Sequence, residues 1–540
     1  MSKKSVILGL SLTAALTTAA LAPSVFAEPP SGAAGTLTAP GGETPPEKPA
    51  GKSGGAPGQA PSESSSAEHT GVMTIAEDMS TDNQTYESVN NSENAILMTG
   101  GTVTLTNPTI KKTGAADGDS ADFYGTNAAI FVSGGTMNIT GGTVTTDGAH
   151  ANGVFAYDEG TINISNTNIK TSSNNSGALM VTGGGTLTAT YVTATTDGNS
   201  SAPIRSDRGG GTMNIENGTY TSNGVGSPVI YSTANVIVKD ATLESTASEG
   251  VVIEGKNSVK LSNTKLTANN TALNSQSETY KTIFIYQSMS GDADEGVGSF
   301  TAENSDITTK NGDTFFITNT TADINLTNNN IVNESGDFIR IQAGGWGNSG
   351  SNGGQVTMTT TDQEIRGGIV VDNISSLSLA MYGDSYYRGI INGANTAEML
   401  SIHLDKDAVI VLDGDSYISG LDNEDTENKN IYANGHKLYL AGEEVKINSE
   451  TPPEGRKNKT AGATAETATE KEEVKEVDDY STLGFIIAAA ASFLVLVIGG
   501  LLIASCTKKC RKEPNPSGND LDADLSGMEN SGQEEGPDGQ

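Results

Sequence analysis

The chain has 540 residues, a formal net charge of −34, 5% aromatic residues and two cysteines, Cys506 and Cys510. A surface of that sign repels nucleic-acid phosphates, anionic lipid and teichoic-acid-like polymers, and a fold with no cysteine outside that pair has no disulfide staples. So few aromatics are thin for a compact globular core but suit a core of stacked aliphatic columns.

Residues 1–27 read as a secretory signal peptide: Lys3 and Lys4 form a positive start, residues 6–22 an apolar run, and Val25-Phe26-Ala27 a small-residue cleavage site. Residues 28–70 are rich in Pro, Gly and Ser without apolar periodicity, as expected of a disordered linker.

A Thr/Gly-rich repeat then fills residues 100–331. GGTVTLT from Gly100, GGTMNIT from Gly134, GTINIS from Gly160, GGGTLTAT from Gly183 and GGGTMNIE from Gly209 are its clearest copies. Their opening threonines, Thr102, Thr136, Thr161, Thr186 and Thr212, continue loosely as Asn235, Ser258, Ser299 and Asp323. Most steps are 23 to 26 residues, with longer ones of 34 and 41. One position after each opening residue stands an apolar side chain, from Val103 through Phe300 to Ile324. Three positions after it stand Leu105 through Leu326, and eight positions after it Ile110 through Ile331. Polar residues separate the first two columns, which is the period of a strand with one buried face. A further apolar run precedes each copy, as at Val154, Leu179 and Val251. Three short strands per rung of about 25 residues predict an all-β fold, a parallel β-helix whose rungs bury their apolar columns on one another. Right-handedness is the default for parallel crossovers.

The predicted β-helix spans residues 71–447. Beyond Ile331 the pattern loosens: Gln355 is expected to open a rung with Val356 and Met358 inward, but its third column then falls on Gln363. Residues 448–482 are polar, with Glu/Lys runs, and read as a stalk. Residues 483–505 form an uncharged apolar run of 23, enough to cross a bilayer as one transmembrane helix. Lys508, Lys509, Arg511 and Lys512 follow, which places the acidic tail 506–540 in the cytoplasm and the β-helix outside.

The repeat region resembles the pectin-lyase-like superfamily of right-handed parallel β-helices. More narrowly, it is similar to adhesin-like surface proteins of gut Firmicutes, which share GGTVTLT and GGGT copies. They also carry stretches like IRSDRGGG from Ile204, NGVGSP from Asn223 and YQSMSGDADEG from Tyr286. The resemblance implies a fold and a surface location; the superfamily holds lyases, polygalacturonases and non-catalytic adhesins alike.

A uronate lyase needs an Arg or Lys base beside an acidic calcium cluster, and Arg205, Asp207 and Arg208 are the nearest candidates for catalysis. A hydrolase needs two close carboxylates, for which Asp147, Asp158, Asp413 and Asp415 do not recur in adjacent rungs. The histidines (His69, His150, His403 and His436) are scattered. Within the 41-residue step, Asp292, Asp294 and Glu295 form a Gly-bounded acidic loop with hard oxygen ligands for Ca²⁺. Trp346, the only tryptophan, lies in a Gly/Ser/Asn loop, where it would either stack on a sugar or fold back onto the groove beneath. The Asp117-Gly118-Asp119 loop is a third insertion.

The sequence therefore predicts a single-pass cell-surface β-helix, leaning away from enzyme, that binds glycans or the surface proteins of host or neighbouring cells. A cell-surface polysaccharide lyase or glycoside hydrolase is the alternative, and a structural spacer of the envelope the next.

Overall fold

The computed structural model describes residues 67–273 and 278–457. The expected signal peptide, transmembrane run and cytoplasmic tail, and all but the ends of the expected linker and stalk, lie outside the described residues. No helix among the described residues is long and apolar enough to cross a membrane.

The chain winds as a parallel β-solenoid. Strands follow one another in threes and return to the same three sheets: sheet A with twelve strands, sheet B with fourteen and sheet C with ten. The opening residues predicted from sequence stack in register in sheet B, Thr102 on Thr136, Thr161, Thr186, Thr212, Asn235, Ser258, Ser299 and Asp323. Their apolar columns form one continuous core from Ile75 to Leu438. Among the described residues helix is almost absent: a single six-residue helix, Asp119–Tyr124, lies in the first insertion.

Two corners explain the motif. Between sheets A and B, successive backbones approach too closely for a side chain. A Cβ on Gly135 would meet the Gly101 carbonyl at 2.2 Å, and one on Gly211 the Gly185 carbonyl at 2.3 Å. The glycine before each threonine is there because nothing larger fits. Where the chain leaves sheet B for sheet C a residue at positive φ turns it, at Asn83, Asn107, Gly141, Asn166, Tyr191, Asn217, Asp240, Asn263, Asn304 and Asn328, and Asp362 does the same where it leaves sheet B for the next sheet. Asn and Asp enter that region with little penalty.

This corner corrects the expected register past Ile331. Thr357, not Gln355, is the opening residue, since Asp323 pairs with Thr357 and Gln355 with Thr321. The third column is Ile365, 1% exposed. Gln363 is buried in the corner instead, where its amide bonds Asn329 through both backbone and side chain. Sheet C ends at Asn330–Asn333, and a four-stranded sheet D begins at Glu364–Arg366.

The last turns close with Glu443–Val445 folding back antiparallel on Leu438–Leu440. Residues 452–457, assigned to the stalk by sequence, lie along the side of the solenoid. The Tyr386 hydroxyl donates to the Pro453 carbonyl at 3.0 Å. Arg456 reaches the Asp384 carbonyl and the Asn328 side chain, each at 3.1 Å.

Candidate functional site

Within each sheet A strand, two inward residues bracket one that points outward, as Ile130 and Val132 bracket Phe131. Register turns these outward residues into a column along the solenoid: Leu97, Phe131, Phe155, Met180, Arg205, Tyr231, Val252, Phe284, Phe316 and Arg340. Two apolar stretches are thus separated by a polar centre at Arg205.

Segments outside the repeat cover both stretches. His69 stacks on Phe131 at 4.0 Å between ring centroids, and Tyr124, on the short helix, meets Tyr157 at 6.2 Å. At the other stretch, Trp346 packs on Phe284 at 5.1 Å and Tyr286 at 5.2 Å, so it takes the folded-back arrangement. It is the lid of an aromatic cluster with Val252 and Phe316.

The polar centre brings together residues that sequence reading kept apart. Arg205 pairs with Asp207 at 3.0 Å, their side chains 12% and 4% exposed. Burial pushes the Asp207 carboxyl up to about 6 although Arg205 pulls it down. Arg205 stays above its ordinary range: burial opposes its charge, and the nearby carboxylates of Asp207 and Asp122 outweigh that. Arg208 lies 4.0 Å over the Phe123 ring and bonds Asp292 at 2.6 Å, joining the first helix to the acidic loop. Next to it, Glu254 accepts from Tyr231 at 2.6 Å, from Tyr286 at 3.0 Å and from Ser288. Burial raises both phenols well above their ordinary range. The glutamate and its tyrosines escaped sequence reading because nothing in their local spacing distinguishes them from other strand residues.

In the acidic loop, two of the three carboxylates are paired with basic side chains. Asp292 is taken by Arg208, and Asp294 by Lys256 at 2.8 Å. Among the described residues no group of three or more His, Cys, Asp or Glu side chains is placed to hold a metal.

The remaining candidates stay apart. Asp413 is held by Arg388, Asp415 accepts from the Lys437 backbone, and Asp147 and Asp158 lie in distant corners. His150 bonds Asp122 at 2.8 Å and Asn175 at 3.1 Å, while His403 pairs with Asp422 at 2.8 Å. No family model, no curated protein and no solved structure matches this chain.

Proposed function

We propose that this protein is an exported, membrane-anchored solenoid of the right-handed pectin-lyase-like kind, serving as a non-catalytic recognition module for glycans or surface proteins. The signal-like start, the apolar run 483–505 and its cationic flank support that location. The observation that carries the non-catalytic reading is the burial of the Arg205–Asp207 pair. A lyase base must reach the proton it removes. Arg205, at 12% exposure and paired to an aspartate at 4%, is built into the wall instead.

The test is a binding screen of the full-length protein against arrayed glycans and cell-surface proteins, with and without calcium, while polysaccharides are monitored for new unsaturated ends. Binding without product supports the reading. Unsaturated or hydrolysed product overturns it in favour of a lyase or hydrolase, and neither binding nor product leaves a spacer.

A further inference from the structure

We propose that a groove on the flank of the last turns is a binding site for an uncharged oligosaccharide. The inference rests on the recognition function above and names its ligand class. The groove has a volume of about 550 Å³ and is open to solvent. That size suits a small-molecule site lined by apolar surface and a few fixed polar groups.

Its walls come from successive turns. Arg366 and Arg388 stand directly opposite one another in sheet D. Like charges stacked at the strand spacing of about 4.8 Å repel unless each is neutralised. Here each is: Arg366 pairs with Glu364 at 2.8 Å, and Arg388 bonds both oxygens of Asp413 at 3.1 Å. Asp337, also in the lining, is held by Arg340, which in turn reaches Asp313 at 2.7 Å. The lining thus carries two cations, Arg366 and Arg388, and two anions, Asp337 and Asp413, each already paired.

This balance selects the ligand class. With Arg366 met by Glu364, Arg388 by Asp413 and Asp337 by Arg340, a carboxylate or phosphate finds no uncompensated cation in the groove, and an ammonium no uncompensated anion. A hydroxyl asks for neither, because it donates and accepts at once. A guanidinium has five N–H donors and a carboxylate about four lone-pair directions, more than one ion pair consumes. Locked by each other, Arg388 and Asp413 present a donor and an acceptor side by side with little rotamer entropy left to lose.

The floor fits the other half of a sugar. A Cβ on Gly389 would strike the Gly367 carbonyl at 2.1 Å, and one on Gly368 the Asp337 carboxylate at 2.2 Å. Close packing therefore keeps the floor bare. Beside it Ile390 is 40% exposed, an apolar shelf for the C–H face of a pyranose.

The experiment titrates the full-length protein with cello-, xylo-, manno- and galactohexaose and with an oligogalacturonate as the anionic probe. Ala394→Trp fills the groove from its exposed rim without touching an ion pair, and Asp413→Asn keeps the shape but removes the charged acceptor. We expect salt-insensitive binding of at least one neutral hexaose, lost in Ala394→Trp and weakened about tenfold or more in Asp413→Asn, as for a lost hydrogen bond to a charged group. Neutral binding that survives Ala394→Trp overturns this site but leaves glycan recognition standing. Oligogalacturonate as the only ligand, blocked by Ala394→Trp, overturns the ligand class. No binding by any probe, when the wider array also finds no glycan, overturns glycan recognition and the site with it.

Discussion

Sheets A and B are built from the same turns, yet their outer faces differ. Sheet B presents bare columns of Thr and Asn, from Thr102 to Thr212 and from Thr104 to Asn214. Sheet A presents aromatic rings and buried ion pairs under insertions. The inner faces are alike, aliphatic and stacked. Solenoid turns thus supply a uniform scaffold, and what distinguishes one face from another is where the chain leaves the repeat. Each insertion covers a stretch of the outward column, and once covered that stretch can hold rings and paired charges that water would otherwise keep apart.

The largest effect expected from this contrast is at Arg205. Arg205→Ala strands a buried carboxylate, which costs about 3–5 kcal/mol near neutral pH. Hydrogen exchange of the surrounding turns is the suitable readout, because solenoids unfold locally. A loss no greater than for a sheet B threonine would erase the distinction between the two faces.

Asp207 sharpens the same comparison through pH. Its native carboxyl titrates at about 6, above the ordinary 3.8. Between those values the folded protein holds a proton that the unfolded chain has released. Stability from this group is therefore complete below about pH 4 and falls as pH rises through 6, by roughly 3 kcal/mol in all. Relative to Asp207→Asn, the native protein should lose protection in that window; an unchanged difference from pH 4 to 7 would contradict the burial argument.

Smaller effects follow at the lid and the corners. Trp346→Ala should cost about 1–2 kcal/mol locally, from lost ring packing and area. Because Trp346 is the only tryptophan, Tyr286→Ala should shift its emission to the red if the lid rests where described. At the exposed corner residue Asn166, φ is 53°. Ala there should cost about 1 kcal/mol and Gly almost nothing. On the bare face, Thr188→Ala should stay within about 0.5 kcal/mol by the same exchange measurement.

Much of this fold was legible because each turn repeats one constraint. The glycine before Thr136, the polar slot and the three apolar columns recur, and nine turns stack as their spacing implies. The misplaced turn at Gln355 came from following hydrophobicity alone. Val356 and Met358 do point inward, but a period of two cannot tell which pair of columns they occupy. The positive-φ corner could have: five positions separate each opening residue from its corner, as with Thr102 and Asn107 or Asp323 and Asn328, and Asp362 points back to Thr357.

By itself the sequence determined the repeat, the inner columns and the parallel stacking, because these depend on side-chain period and backbone crowding within one turn. Only the tertiary structure decided the partners. Arg208 meets Asp292 across 84 residues of chain, and Tyr231 and Tyr286 meet on Glu254. Arg366 and Arg388 come to share one groove. Such pairings depend on which turn an insertion folds over and where one sheet gives way to the next, and no local pattern of residues records either.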